Sequence, residues 1–389
     1  MTINYAMLFG AETIRRMTKE TEVRLAEMDL WKNDKEWTDT LMKKLAREDF
    51  LTFDFDQVAY AVKKMAKPLM VELMNEYILS LRSLPHIKDA FEFATVFQQK
   101  EVLKYLVDRY ENDEHLTEYA TVFRLVLRFF DDELTNNELI DEARHFTSFV
   151  KDPVMRVRLK LFAADAHCHL GQFQEALLLL EDVVEGIYAL EVGYTKSALA
   201  SRTFLLVGNC FLYGKGSVEN ANLNYLAVIA TNATPDTVKL AANHGMGLVM
   251  MCKNDRSQCA FYFEEAIRKA KETGQHAYRE CLEREYYPFA RNILGEKFGL
   301  EGVMQKEQVH QYIVRGEYEK SLRLIEELEA AGKSSHFLTW YKGKATGKSE
   351  YFRTALEQFK QGRYMFLTSL IQQELEKFEG LSADVGGDV

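Results

Sequence analysis

The stretch Asp165–Val183 reads DAHCHLGQFQEALLLLEDV. It opens with three metal-ligand residue types, His167, Cys168 and His169, and then turns on Gly171 into an apolar run. On a helix, adjacent residues point about 100° apart, so His167 and His169 face nearly opposite ways and cannot chelate one ion. The reading is therefore a helix end, a turn and a second helix, with Cys168 a core thiol and no metal site. After Gly171, the residues Phe173, Ala176, Leu177, Leu180 and Val183 form one stripe of a helix.

The same frame recurs down the chain. Arg315–Leu328, RGEYEKSLRLIEEL, places Gly316, Tyr318, Ser321, Leu322, Ile325 and Leu328 alike. Lys215–Val228, KGSVENANLNYLAV, offers Gly216, Val218, Ala221, Tyr225 and Val228. In CKNDRSQCAFYFEEAI, Asn254 takes the glycine place, Cys259 the small place, and Phe263 and Ala266 the later core places. SEYFRTALEQF supplies Phe352, Ala355, Leu356 and Phe359. Turn positions 171, 216, 254 and 316 lie 45, 38 and 62 residues apart, the last interval leaving room for an extra helix pair.

Spacings of roughly 34 to 45 residues mark helix-turn-helix solenoid repeats of the tetratricopeptide type or a drifted relative. Glycine or asparagine allows a left-handed turn after the first helix. A small residue in the second helix allows its partner to come close, and the aromatic before it fills the gap. Such pairs bury their apolar faces only by stacking, which builds a concave surface. The expected fold is all-α: a right-handed solenoid of tetratricopeptide-like repeats with a small N-terminal helical head. The expected divisions are the head at 1–50, repeats at 51–378 and a flexible tail at 379–389.

Composition agrees. Only 5 prolines in 389 residues favour long helices with short connections. The net charge of −10 argues against general polyanion binding and leaves room for a local basic face. The 5 cysteines are odd in number and none is spaced CxxC, which reads as reduced, buried thiols in a cytoplasmic protein. No apolar run is long enough for a membrane span.

Chemical motifs are few. Gly343–Ser349, GKATGKS, holds only three residues between its glycines where a phosphate loop needs four, and follows a helical pattern. It reads as an inter-helix loop. No GxSxG, HExxH or DxDxDG occurs. No catalytic residue, metal site or cofactor is assigned, and the expected protein is not an enzyme.

Two regions carry candidate sites. Within the head, helices over 20–31 and 35–47 around Asn33-Asp34 have helix-turn-helix spacing. Lys35, Thr38, Lys43, Lys44 and Arg47 would then face a duplex; the competing reading is a degenerate, purely structural bundle. In the repeats, Asn209 and Tyr213 stand four apart on an otherwise apolar helix, and Asn243 and His244 interrupt KLAANHGMGLVMM similarly. Buried amides need partners. Neighbouring repeats could supply them, or the backbone of a peptide lying in the groove, which makes Asn209, Tyr213 and Asn243 the peptide-site candidates.

At these residues a resemblance is visible. Residues 200–236, ASRTFLLVGNCFLYGKGSVENANLNYLAVIATNATPD, followed by AANHGMGLVMM and FYFEEAIRKA, resemble the middle of the AimR-type arbitrium receptors of Bacillus phages. Residues 336–380 resemble their C-terminal part, and 55–81 is similar to the helix pair after their DNA-binding head. The resemblance implies a peptide-pheromone regulator of the lysis–lysogeny decision that binds a short peptide, dimerises through C-terminal helices and reads DNA with its head. Asn209 matches one asparagine of that pocket, and Tyr213 replaces the second. No arginine stands in Thr234–Lys239, and no acid in Gly362–Tyr364. LSADVGGDV replaces the leucine-rich last helix, which favours a monomer over the family's dimer. The expected partner is a peptide or protein in the groove. The alternatives are a DNA-binding transcriptional regulator and, ranked lowest, a Rap-like inhibitor or phosphatase of a response regulator.

Overall fold

The computed structural model describes residues 16–17, 19–23, 53–231, 234–362 and 364–385. Lys35, Thr38, Lys43, Lys44 and Arg47 of the head lie outside the described residues. No strand occurs among the described residues.

The chain runs through helices α1 (Phe55–Met65), α2 (Met70–Ser80), α3 (Leu84–Val96), α4 (Lys100–Tyr110), α5 (Thr117–Phe130), α6 (Asn136–Thr147) and α7 (Pro153–His169). There follow α8 (Phe173–Ala189), α9 (Tyr194–Asn209), α10 (Val218–Ala230), α11 (Asp236–Cys252) and α12 (Arg256–Glu272). The last are α13 (His276–Cys281), α14 (Tyr287–Ile293), α15 (Gln305–Val314), α16 (Tyr318–Ala330), α17 (His336–Thr346), α18 (Ser349–Gln361) and α19 (Met365–Val385). π-Helical turns, Cys210–Gly214 and Leu282–Tyr286, follow α9 and α13.

The chain divides into two compact units, each drawn from three segments. Unit 1 comprises Met1–Leu170, Glu175–Leu206 and Ala227–Val238; unit 2 comprises Gly171–Gln174, Val207–Leu226 and Lys239–Val389. The division falls inside the stretch read from sequence as one repeat array.

The turn frame is left-handed where the repeats place it. Gly171 has φ 68°, Gly216 63°, Gly316 79° and Asn254 57°. An L side chain pays for that conformation, and asparagine pays least after glycine. The long interval between 254 and 316 does hold extra helices, α13 and α14, entered after Gly274 and left before Gly295. GKATGKS is the end of α17, a left-handed cap at Gly347 and the start of α18.

The small places and most of the apolar ones are core, while Val218, Leu322 and Leu356 are half-buried. Ala176, Ala221, Cys259, Ser321 and Ala355 are all fully buried, as are Phe263, Ile325, Phe352 and Phe359. The aromatic place behaves unevenly. Phe173 packs where a Cβ on Gly214 would come within 2.4 Å of it, whereas Tyr318 is 48% exposed. The gap-filling role therefore holds at Phe173 and at Phe352, which packs against Gly343, and not at Tyr318. The thiols also divide: Cys210 and Cys259 are buried, Cys168 and Cys252 half-buried, and Cys281 exposed, against the expectation that all lie inside. Helix α19 runs to Val385; of the tail expected at 379–389, positions 386–389 lie outside the described residues.

Helix starts in unit 1 are built locally. Thr135 caps α6, its Oγ1 accepting from the Glu138 amide at 3.3 Å while Glu138 accepts from the Thr135 amide at 2.8 Å. Asp152 caps α7, accepting from the Val154 and Met155 amides, with Pro153 at the first helical position. The interior of this unit holds a buried ion pair. Arg158 lies 3.1 Å from Glu92, with its guanidinium over the Phe162 and Phe123 rings.

Candidate functional site

Among the described residues, each unit contains a cavity. That of unit 1 has a volume of about 300 Å³ and is lined by Phe129, Phe130 and Phe162 with Asp165, His169 and Arg202. Arg202 and Asp165 pair at 3.1 Å, and His169 Nε2 lies 3.7 Å from the same carboxylate. One end of the His-Cys-His run thus reaches a cavity as the neighbour of an acid. Among the described residues, no three His, Cys, Asp or Glu side chains group as metal ligands.

The cavity of unit 2 is larger, about 430 Å³. Both π-helical turns line it: Tyr213 comes from the first, Glu285 and Tyr286 from the second. π-Turns recur at functional sites because the extra residue re-aims side chains within an otherwise regular helix. Helix α11 contributes His244, and α15 contributes Lys306 and Glu307. His336 and Phe337 come from the start of α17, and Tyr364 and Phe366 from the segment entering α19.

The aromatic walls touch one another. Tyr213 meets Phe366 edge-on with ring centroids 5.2 Å apart, and Phe173 stacks on it at 6.3 Å. His244 packs on Tyr286 at 4.6 Å, and His336 on Phe337 at 4.7 Å.

Polar groups here are of two kinds. Lys306 is held by Glu285 at 2.6 Å and lies 4.5 Å above the Phe337 ring. Glu307 is fully buried and accepts from Asn292 Nδ2 at 3.2 Å and Tyr341 Oη at 3.3 Å. Burial lifts its carboxyl to about 7, against the pull of Lys306 and the two hydrogen bonds. The imidazoles form the second kind. His244 Nδ1 meets Tyr278 Oη at 2.8 Å, while its Nε2 is buried with no hydrogen-bond partner. His336 Nε2 is likewise buried and unpartnered. Burial drives His244 down to about 4 and lowers His336, so both rings are neutral at physiological pH.

Of the three peptide-site candidates, Tyr213 alone lines this cavity. Asn209 accepts from Tyr225 Oη at 2.7 Å. The Tyr225 ring is clamped between Gly208 and Gly245, where an added Cβ would come within 2.6 and 2.5 Å of it. Asn243, 3% exposed, donates to the Lys239 carbonyl of its own helix at 2.7 Å. Its neighbour His244 is the one that reaches the cavity. Of the two polar residues that interrupt KLAANHGMGLVMM, one bonds its own helix and the other lines the cavity. His336 and the Glu285–Lys306 pair carry no signal of their own in sequence, because three separate helices bring them together.

The structure defines an all-α helical-repeat protein whose second unit holds an aromatic cavity with unpaired imidazole nitrogens. A family model described as AimR transcriptional regulator-like matches residues 70–377, and the chain belongs to that family. A comparison with curated proteins finds no match. A solved structure of selenomethionine phAimR is similar with a TM-score of 0.69 at 16% identity, covering 92% of this chain and 96% of that one. A structure of phAimR with ligand is similar with a TM-score of 0.65 at 18% identity, covering 82% and 95%. At these identities the likeness shows the fold. No helix among the described residues is long and apolar enough to cross a membrane.

Proposed function

We propose that this chain is a non-enzymatic, cytoplasmic phage regulator of the lysis–lysogeny decision, controlled by a peptide or protein segment bound in the unit 2 cavity. The observation that carries the reading is the pair of buried, neutral imidazole nitrogens without partners in one aromatic-walled cavity. A buried polar atom left unpaired costs about 1–3 kcal/mol, and a bound peptide backbone offers the missing donors and acceptors. The similar phAimR structure solved with ligand supports a ligand-controlled role. Tyr213 is the candidate contact; Asn209 and Asn243 act through the packing of the wall, by holding Tyr225 and the backbone of α11.

Fluorescence-detected titration with arbitrium-type peptides is the test. Saturable binding at micromolar concentration, weakened by Tyr213→Ala, is expected; no binding at high micromolar removes the receptor reading. A second reading, duplex DNA binding through the head, draws on the family's description as transcriptional regulator-like. It predicts duplex binding at low salt that weakens steeply as salt rises. Unchanged affinity in Lys43→Ala and Lys44→Ala would remove the proposed recognition helix.

A further inference from the structure

Resting on the ligand site proposed above, we infer that the unit 2 cavity accepts an uncharged aromatic or branched aliphatic side chain of a peptide and rejects a charged one. The charge balance of the walls carries this. Lys306 and Glu285 neutralise each other at 2.6 Å. Lys306 also lies over Phe337, the place a ligand's own cation would take on that ring. The Glu307 carboxylate is engaged by Asn292 and Tyr341 and lies 4.0 Å from Lys306. Among the described residues lining the cavity, every charged group therefore already has an internal partner. A ligand ammonium or carboxylate entering here would lose its water without gaining a free countercharge, which is the costliest kind of burial.

What the cavity does offer is ring surface and neutral hydrogen bonding. Tyr213, Tyr286, Tyr364, Phe337 and Phe366 present faces and edges that favour an aromatic guest. The His244 ring, 8% exposed, commits Nδ1 to Tyr278 and leaves Nε2 on the opposite side of the ring without a partner. A neutral imidazole nitrogen suits a peptide carbonyl or amide, according to its tautomer. An apolar side chain flanked by its own peptide groups satisfies both demands together.

The test uses the full chain and three blocked amino acids, the N-acetyl amides of phenylalanine, lysine and aspartate. Each is titrated at pH 7.5 by saturation-transfer NMR. The phenylalanine probe is expected to bind at least tenfold more tightly than either charged probe. Equal or tighter binding of a charged probe overturns the inference, as does the absence of a tenfold preference. Two variants test the cause. Lys306→Met leaves Glu285 without its countercharge and should shift the phenylalanine-to-lysine affinity ratio at least fivefold toward lysine. Glu285→Gln does the converse and should shift the ratio toward aspartate. Circular dichroism selects the folded variant, and an unmoved ratio in it overturns the charge-balance argument. A charged probe that wins at this cavity leaves peptide binding itself standing, whereas failure of the peptide titration removes the receptor reading first.

Discussion

The two units bury polar groups of different kinds. In unit 1, charge meets charge: Arg158 faces Glu92 at 3.1 Å and rests on two rings, and Arg202 faces Asp165 at 3.1 Å across the smaller cavity. Asp89 accepts from the Thr195 hydroxyl at 2.6 Å, though burial still lifts its carboxyl to about 6. In unit 2 the charged groups also pair, but two neutral imidazole nitrogens stay unpaired beside about 430 Å³ of cavity. The first sets each buried charge against an opposite charge inside the fold, although Glu92 Oε1 and the Arg158 nitrogens make no hydrogen bond. The second leaves neutral ring nitrogens on a cavity wall, where the ligand proposed above would meet them.

The largest expected effect tests the buried ion pair of unit 1. Arg158→Leu should lower stability by about 3–5 kcal/mol, because it strands Glu92 as a buried charge. The double variant with Glu92→Leu should recover much of that loss. Urea midpoints for the two variants measure it, and a single-variant loss no greater than the double's would break the contrast between the units.

Next comes Glu307, the buried acid of unit 2. Its folded value of about 7 lies above the ordinary 4.5, so the unfolded chain ionises first as pH rises. The carboxyl therefore removes about 3 kcal/mol of stability between pH 4.5 and 7, at ~1.4 kcal/mol per unit. His244 works the other way: with its folded value lowered from 6.5 to about 4, stability is lost as pH falls through that window. Glu307→Gln should abolish the loss on the alkaline side and expose the acid-side loss due to His244. Parallel denaturation profiles for wild type and variant across pH 5–8 would show that Glu307 is no such acid.

A smaller effect concerns the wall. Gly245→Ala would put a Cβ 2.5 Å from Cζ of Tyr225 and should cost roughly 1–3 kcal/mol by overpacking. Thermal unfolding checks this, and Tyr225→Leu in the same chain should relieve part of it. The smallest is local to unit 1. Thr135→Ala removes the α6 cap and should cost about 1 kcal/mol, read from the shift in urea midpoint.

What was legible in sequence follows from how locally each feature is determined. Gly171, Gly216, Asn254 and Gly316 reveal themselves because a left-handed residue is a property of one position in the chain. Ala176, Cys259, Ser321 and Ala355 reveal themselves because a helix repeats its buried face every 3.6 residues. His244 was half-legible: the polar break in α11 was visible, but the choice between Asn243 and His244 was not. One residue of rotation separates a side chain bonded to its own helix from one lining a cavity, and only packing sets that rotation.

By itself, then, the sequence determined the class of fold, the turn positions and the absence of a recognisable catalytic motif, since all three rest on local pattern. The tertiary structure alone decided the division into two units and the π-helical turns at Cys210–Gly214 and Leu282–Tyr286. It also decided the capture of Asn209 by Tyr225 and the meeting of His244, Lys306 and His336 around one cavity. These depend on contacts between segments far apart in the chain, where one residue of register or one clamped ring changes what a side chain touches.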